Sequence, residues 1–213
     1  DDVESRGLGD VYKRQEYNGT QLIHSKVIAS YLRQLLRNDL QYAPFRMEGM
    51  EQDVREMMEI DTPQGKLALQ IGGTIDRLDS KGDTLRIVDY KTGGTPKTPE
   101  NIEQLFTPAD NRPNYIFQTF LYAAILCRKQ SLKVAPSLLY IHRAASESYS
   151  PVIEMGAPRQ PKVPVNNFAF FEDEFRERLH GLLQEIFSQE ETFSQTEDTR
   201  KCEYCDFRSL CKR

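Results

Sequence analysis

Carboxylates and a lysine are concentrated in two short stretches of the sequence, residues 73–79 and 87–93. The first reads GTIDRLD and the second IVDYKTG, which places Asp76, Asp89 and Lys91 close together along the chain. Carboxylate oxygens suit Mg²⁺, which keeps several waters and binds substrate phosphates. A lysine beside such a cation can position water or stabilise charge during phosphoryl transfer. These stretches therefore predict metal-assisted phosphodiester hydrolysis; the alternative is an ordinary Asp–Lys pairing on a solvated sheet face.

Three extended runs carry these residues. The runs cover residues 45–60, 66–79 and 84–91, and turn-forming residues at 61–65 and 80–83 separate them. Alternation of apolar and polar residues within the second and third runs is typical of half-buried strands. The pattern therefore predicts an antiparallel meander.

A hairpin closed around residues 81–82 places Asp76 opposite Ile87 and Thr74 opposite Asp89. Opposed residues share a sheet face, and so do residues two apart on one strand. We therefore expect Asp76, Asp89 and the lysine two residues later to project from one face. The two carboxylates become diagonal neighbours that can share a hard cation. The glycine pair at 72–73 predicts a bulge or a close backbone approach.

The rest of the chain predicts elements that flank this meander. Paired apolar residues across 21–40 indicate an apolar helical stripe that serves as scaffold. After a loop at 92–99 we expect a short helix, a longer helix at about 114–129, and strands at 137–142 and 149–155. A Pro-rich loop at 156–164 precedes an amphipathic helix at 171–189, whose inner face carries Phe171, Phe175, Leu179, Leu182, Leu183, Ile186 and Phe187. This order predicts a mixed α/β domain with a central mixed sheet.

Composition narrows the class of protein. The chain has 213 residues, of which 38% are hydrophobic, so one domain with a core is expected. Its net charge of −4 argues against a protein that simply coats nucleic acid, although a local site for a polyanion stays open. No apolar run reaches the length of a membrane helix, and no secretion signal is evident.

The stretches GGTIDRLD and IVDYKTGG resemble the core of the PD-(D/E)XK nucleases, and more closely the RecB-type nuclease domain of AddB-like helicase–nuclease subunits. The resemblance covers about residues 45–213. It implies that Asp76 and Asp89 bind the metal, that the Tyr90 carbonyl is a further ligand, and that Lys91 is catalytic.

A second motif supports the resemblance. The family has a helical QxxxY motif, matched by Gln118 and Tyr122 in FQTFLYA. The i, i+4 spacing puts both on one helical face, where they can orient the lysine or touch the DNA backbone. The family also carries an upstream histidine ligand; His24 has the wrong spacing for it and is expected to lie at the surface or the edge of the core.

The resemblance implies a restriction-endonuclease-like fold and Mg²⁺-dependent (or Mn²⁺-dependent) DNA cleavage in double-strand-break repair. A helicase–nuclease partner subunit and a location in the bacterial cytoplasm are implied with it. Two alternatives stay open. One is a non-catalytic DNA-binding or structural module of such a complex, and the other is a stand-alone nuclease of the CRISPR-associated type.

The C-terminal tail contains three of the four cysteines, Cys202, Cys205 and Cys211. From spacing alone they indicate a metal, either zinc or a [4Fe–4S] cluster. The resemblance implies the cluster, with a fourth cysteine from far upstream and with Tyr204 and Phe207 as shields. Cys127, on the QxxxY helix, is expected to be a buried core thiol.

The first fifteen residues, DDVESRGLGDVYKRQ, resemble translated sequencing-adapter sequence. They are expected to be a non-native leader, and an ordinary polar tail is the alternative. The predicted organisation is therefore a leader at 1–15, a nuclease domain at 16–198 and a cysteine-rich tail at 199–213.

Overall fold

A computed structural model of the chain describes residues 18–109, 111–146, 148–188 and 194–212. The predicted leader at 1–15 lies outside the described residues. The helices are α1 (Gly19–Tyr42), α2 (Asn114–Cys127), α3 (Glu172–Ile186) and α4 (Arg208–Cys211). The strands are β1 (Arg46–Thr62), β2 (Gly65–Lys81), β3 (Thr84–Lys91), β4 (Lys133–Tyr140), β5 (Glu154–Met155) and β6 (Val163–Pro164). Short 3-10 turns cover Glu103–Leu105, Ile141–Arg143, Phe168–Phe170 and Thr199–Cys202.

The central sheet has the strand order β1-β2-β3-β4. β1 pairs with β2 and β2 with β3 in antiparallel fashion, whereas β3 and β4 are parallel. The parallel step requires a crossover, and α2 lies within it. The predicted mixed α/β fold with a central mixed sheet and an antiparallel meander is confirmed, and it is consistent with a restriction-endonuclease-like core.

The register of the β2–β3 hairpin differs from the prediction. Leu78, not Asp76, lies opposite Ile87, and the two turn residues are Gly82 and Asp83. Gly82 has a φ of +61°, which a residue without a Cβ adopts most easily, so the turn centres one position later than predicted. The resulting shift is two residues. Because side chains alternate with a period of two, each residue keeps its predicted sheet face.

Helices cover both faces of the sheet. On one face, α2 and α3 pack on the main core, which includes Leu78, Leu85, Ile87, Val134, Leu138, Ile116, Phe120, Phe175 and Leu179. On the reverse face, a smaller cluster of Val88, Leu139, Ile141 and Ala144 packs against Tyr31 and Leu35 of α1. The candidate site residues lie on the sheet face that α2 covers, at the point where β2 and β3 diverge.

Helix α1 is capped by Asn18, whose side chain accepts the Gln21 N–H at 2.9 Å while Gln21 accepts the Asn18 N–H at 3.0 Å. Its end before Pro44 fits the bias of a residue preceding proline against helical geometry. The predicted stripe is scaffold only in part. Tyr31 and Leu35 pack on the sheet, but most of the stripe is exposed: Leu22, Ile23, Val27, Ile28, Leu32 and Leu36.

The C-terminal half departs from prediction at two points. The predicted strand at 149–155 reduces to β5, and the Pro-rich loop ends in β6, its partner. In α3, Phe175 and Leu179 are buried, whereas Ile186 and Phe187 at its end are exposed. Within the described ranges, every helix is too short or too polar to cross a lipid bilayer.

Candidate active site

The site forms where β2 and β3 separate. Their ladder runs from the turn to Arg77, which lies opposite Val88. Beyond that pair, β2 continues against β1 and β3 continues against β4. At the fork, Asp76 Oδ2 accepts a hydrogen bond from the Tyr90 N–H at 2.8 Å. A side-chain carboxylate thus accepts from a β3 amide at the fork, which fixes Asp76 near Asp89.

Asp89 is buried, with 3% of its surface exposed. Burial raises the pKa of its carboxyl; the nearby Asp76 charge raises it further, and Lys91 opposes both. Asp89 Oδ2 lies 2.6 Å from Lys91 Nζ, a close ion pair. Asp89 is therefore a buried carboxylate whose charge is offset by Lys91.

Lys91 Nζ is held on three sides. It pairs with Asp89 Oδ2, lies 3.5 Å from Gln118 Oε1, and lies 4.3 Å from the centroid of the Tyr115 ring. The side chain keeps 16% exposure, so the ammonium stands at the edge of the solvent. It is a fixed positive charge beside two carboxylates.

Helix α2 supplies the second layer of the site. Gln118 Nε2 donates to the Tyr122 hydroxyl at 2.9 Å, so hydrogen bonds run from Lys91 through Gln118 to Tyr122. The structure brings the two QxxxY residues to the lysine side of the sheet. Their roles in chemistry stay a prediction.

The glycine pair in β2 makes room for this helix. A Cβ at Gly73 would lie 2.6 Å from the Tyr122 hydroxyl, and a Cβ at Gly72 would overlap the Val54 carbonyl oxygen. The pair thus marks a close approach and not a bulge, because the register shift in this ladder lies between Met47 and Gly49.

Tyr115 is a site residue that the sequence reasoning missed. It precedes Gln118 by three residues and therefore lies on the same face of α2, with its ring against the Lys91 ammonium. A search for aromatic residues one turn before the QxxxY glutamine would have found it.

Arg77 and Asp79, which follow Asp76 in β2, point to the reverse face of the sheet. Asp79 is fully buried and accepts hydrogen bonds from Arg77 Nε at 2.9 Å and from Arg86 Nε and Nη2 at 2.9 and 2.8 Å. Arg77 also donates to both oxygens of Asp39 on α1 and to the Tyr90 hydroxyl. Arg77 and Asp79 are two residues apart in β2 and share the reverse face, whereas Leu78 between them lies in the main core.

The carboxylates fit a hard divalent cation. Two aspartates meet at the strand fork, and one of them is buried and paired with Lys91. Within those residues no three His, Cys, Asp or Glu side chains are grouped to hold a metal. Two protein carboxylates with water and phosphate in the remaining positions is the usual arrangement for Mg²⁺.

Tyr90 spans both faces at the fork. Its N–H is used by Asp76, and its hydroxyl accepts from Arg77 Nη1 at 3.1 Å on the reverse face. Its carbonyl as a metal ligand stays a prediction.

The three cysteines of the described tail do not form the metal-binding cluster that the sequence predicts. Cys202 and Cys211 are half-buried and Cys205 is exposed, and the described residues hold no group of three such ligands. Tyr204 is 92% exposed and Phe207 is 67% exposed, so neither shields a cluster. The described tail consists of two short turns that lie largely in solvent, so the three thiols are not gathered and do not fit a [4Fe–4S] cluster in this structure.

Of the other two residues weighed from the sequence, His24 behaves as expected, whereas Cys127 is half-buried. His24 lies exposed on α1, away from the carboxylates. Cys127 packs against the main core at the end of α2, and burial raises the pKa of its thiol to about 11. A thiol of that pKa stays protonated at neutral pH and behaves as an apolar group.

The family model of the PD-(D/E)XK nuclease superfamily matches residues 3–212, nearly the whole chain. The chain therefore belongs to the PD-(D/E)XK nuclease superfamily. No curated protein is similar enough to count as a match.

Proposed function

We propose that the chain is a DNA nuclease that hydrolyses phosphodiester bonds with Mg²⁺ or Mn²⁺, with Asp76 and Asp89 as the metal ligands. The observation that carries this is the buried Asp89 carboxylate, paired with Lys91 at 2.6 Å at the fork where Asp76 also lies. A buried charged group needs compensation, and Lys91 supplies part of it through its ion pair with Asp89 Oδ2.

The roles of the side chains follow from their contacts. A cation held by the two aspartates would polarise the scissile phosphate and lower the pKa of a water. Lys91 carries a fixed positive charge where negative charge builds up on the attacked phosphate, and it orients the attacking water. Gln118 holds the lysine head, and Tyr122 holds Gln118. These positioning contacts exist before substrate binds, so the site needs little rearrangement during the reaction.

A finer assignment rests on motif resemblance. We infer that residues 16–198 form the nuclease domain of an AddB-like helicase–nuclease of double-strand-break repair in the bacterial cytoplasm, with residues 199–213 as its tail. The DYKTGG stretch, the QxxxY pair and the three tail cysteines support it. An iron–sulfur cluster is not part of this proposal, because the tail thiols do not gather. A helicase-like region encoded in the same reading frame supports AddB; a gene beside CRISPR genes supports the stand-alone nuclease.

The direct test is cleavage of end-labelled linear DNA by the chain with Mg²⁺, with Mn²⁺ and with EDTA. We expect metal-dependent cleavage that Asp89→Ala and Lys91→Ala each reduce by about a thousandfold or more, since each removes a group that acts on the transition state. Asp61→Ala, at an exposed aspartate near the distant β1–β2 turn, is the matched control and should cleave like the parent.

Two results would contradict the proposal. Cleavage that survives Asp89→Ala places the chemistry elsewhere. A folded chain that binds DNA but never cuts it, with either metal, identifies the non-catalytic module instead.

A further inference from the structure

A pair of adjoining cavities lies beside Lys91. The larger has a volume of about 730 Å³ and the smaller about 320 Å³, and they share Lys97, Ile116 and Tyr140. Tyr140 is the register partner of Lys91 across the parallel β3–β4 pair, so the cavities open at the carboxyl ends of these strands. Crevices outside the carboxyl ends of parallel strands are common ligand sites.

The lining is basic in an acidic chain. The chain has a net charge of −4, yet Lys97, Arg112 and Arg143 line the cavities against one carboxylate, Glu154, among the described lining residues. Lys97 Nζ is pinned by the carbonyls of Asn111 and Arg112 at 2.7 and 3.2 Å, so its charge is fixed in place. Ser146 and Ser148 add hydroxyls at the rim, 3.0 Å apart. Cations with hydroxyls are the groups that contact phosphodiester backbones.

The wall nearest the active site is aromatic. Tyr115 lines the smaller cavity, has 43% of its surface exposed, and rests against the Lys91 ammonium. Gly94, at a φ of +81°, lies between this ring and the buried Tyr140, and a Cβ there would lie 3.4 Å from Tyr115, so the missing side chain keeps the Tyr115 ring open. Burial, together with Tyr149, Tyr115 and Asp89, raises the pKa of Tyr140 to about 12, so this hydroxyl is a neutral hydrogen-bond donor.

We propose that this cavity pair seats unpaired nucleotides of the DNA strand that flanks the scissile phosphate, with a base stacked on Tyr115 and the backbone held by Arg143 and its neighbours. The inference rests on the proposed nuclease function. A paired base within a duplex hides both faces in its stack, whereas an unpaired base offers a face to an aromatic ring. A basic groove with an aromatic platform is the combination that binds single strands with little sequence preference. The active site therefore prefers strands that are already single or frayed.

The test measures binding separately from cleavage. Fluorescein-labelled dT8 and a blunt eight-base-pair duplex are titrated with the chain in EDTA, so that no cutting occurs. We expect dT8 to bind more tightly than the duplex, and Tyr115→Ala to weaken dT8 binding about tenfold, the loss typical of removing one stacking ring. Tyr115→Phe should keep the affinity. Arg143→Ala should weaken binding severalfold and flatten its salt dependence.

Arg37→Ala is the matched control, since Arg37 is exposed on α1 at the reverse face of the sheet. A dT8 strand carrying 5-iodouracil should photocross-link to the peptide that contains Tyr115 or Tyr140. Unchanged dT8 binding in both Tyr115→Ala and Arg143→Ala, equal affinity for the duplex, or a cross-link elsewhere overturns the cavity assignment even where metal-dependent cleavage persists. Loss of cleavage with this binding pattern intact would instead count against the nuclease.

Discussion

Asp79 and Asp89 lie on opposite faces of the same hairpin, and they use their buried carboxylates differently. Asp79 is saturated: two arginines supply three hydrogen bonds to its two oxygens. Asp89 instead pairs with a single lysine, Lys91, whose Nζ lies 2.6 Å from Oδ2. A buried carboxylate with every acceptor used serves the fold, whereas one with spare capacity is available to a cation. The number of partners thus distinguishes the structural residue Asp79 from the candidate site residue Asp89, whereas the sequence shows only two aspartates.

The largest effect on stability should come from Asp79→Ala. This change leaves Arg77 and Arg86 buried without their shared acceptor, so the free energy of unfolding should fall by about 3–5 kcal/mol. Asp89→Ala, the same change on the other face, should alter it by no more than about 1 kcal/mol. Urea denaturation followed by circular dichroism measures both. The comparison fails if the two variants lose equal stability.

Metal addition should sharpen the comparison. A cation that binds the folded chain at Asp76 and Asp89 should raise the free energy of unfolding by about 2.7 kcal/mol at a hundred times Kd. Thermal unfolding with Mg²⁺, Mn²⁺ or Ca²⁺ against EDTA measures the shift. Asp89→Asn should abolish it and Asp61→Asn should retain it. An equal shift in Asp89→Asn would move the metal to another site.

Gly73→Ala should disturb the site face from within β2. The added Cβ meets the Tyr122 hydroxyl and ring, so α2 must shift, at a cost of about 1–3 kcal/mol in unfolding free energy. Cleavage should fall as well, because Tyr122 positions Gln118. Gly181→Ala in α3, where a Cβ meets open space, should instead be neutral or stabilise the chain by up to about 1 kcal/mol. Full activity in Gly73→Ala would remove Tyr122 from the positioning chain.

The smallest effect is expected in the tail. Cys205 is exposed and its aromatic neighbours are in solvent, so Cys205→Ser should change the free energy of unfolding by less than about 0.5 kcal/mol. Differential scanning calorimetry of the reduced protein measures this. A loss of more than about 2 kcal/mol in the free energy of unfolding would mean that the tail thiols stabilise the fold.

The hairpin could be predicted because its signals are local. Alternation fixes which face Asp76, Asp89 and Lys91 occupy, and a two-residue error in register left those faces unchanged. Helical spacing likewise predicted that Gln118 and Tyr122 share a face.

The rest depends on long-range packing. The ion pair of Arg77 with Asp39 joins residues far apart in sequence and exists because α1 docks on the reverse face. Tyr115 enters the site because α2 packs over β2 at Gly73; helical spacing from Gln118 gives its face, but not its contact with Lys91. The tail cysteines stay a prediction, because cysteine spacing specifies candidate ligands and not the packing that gathers them.

The proposed chemical groups, from Asp76 through Lys91 to Tyr122, lie on one hairpin and the helix that directly follows it. Its contacts span 14 and 27 residues, against 38 for Arg77 and Asp39, so this segment can assemble first at a slightly lower entropic cost. The anchoring of α1 through Asp39 and Arg77 spans a longer loop and can follow later. A chain break or circular permutation between α1 and β1 should thus slow completion of the scaffold while leaving the order of assembly at the hairpin unchanged.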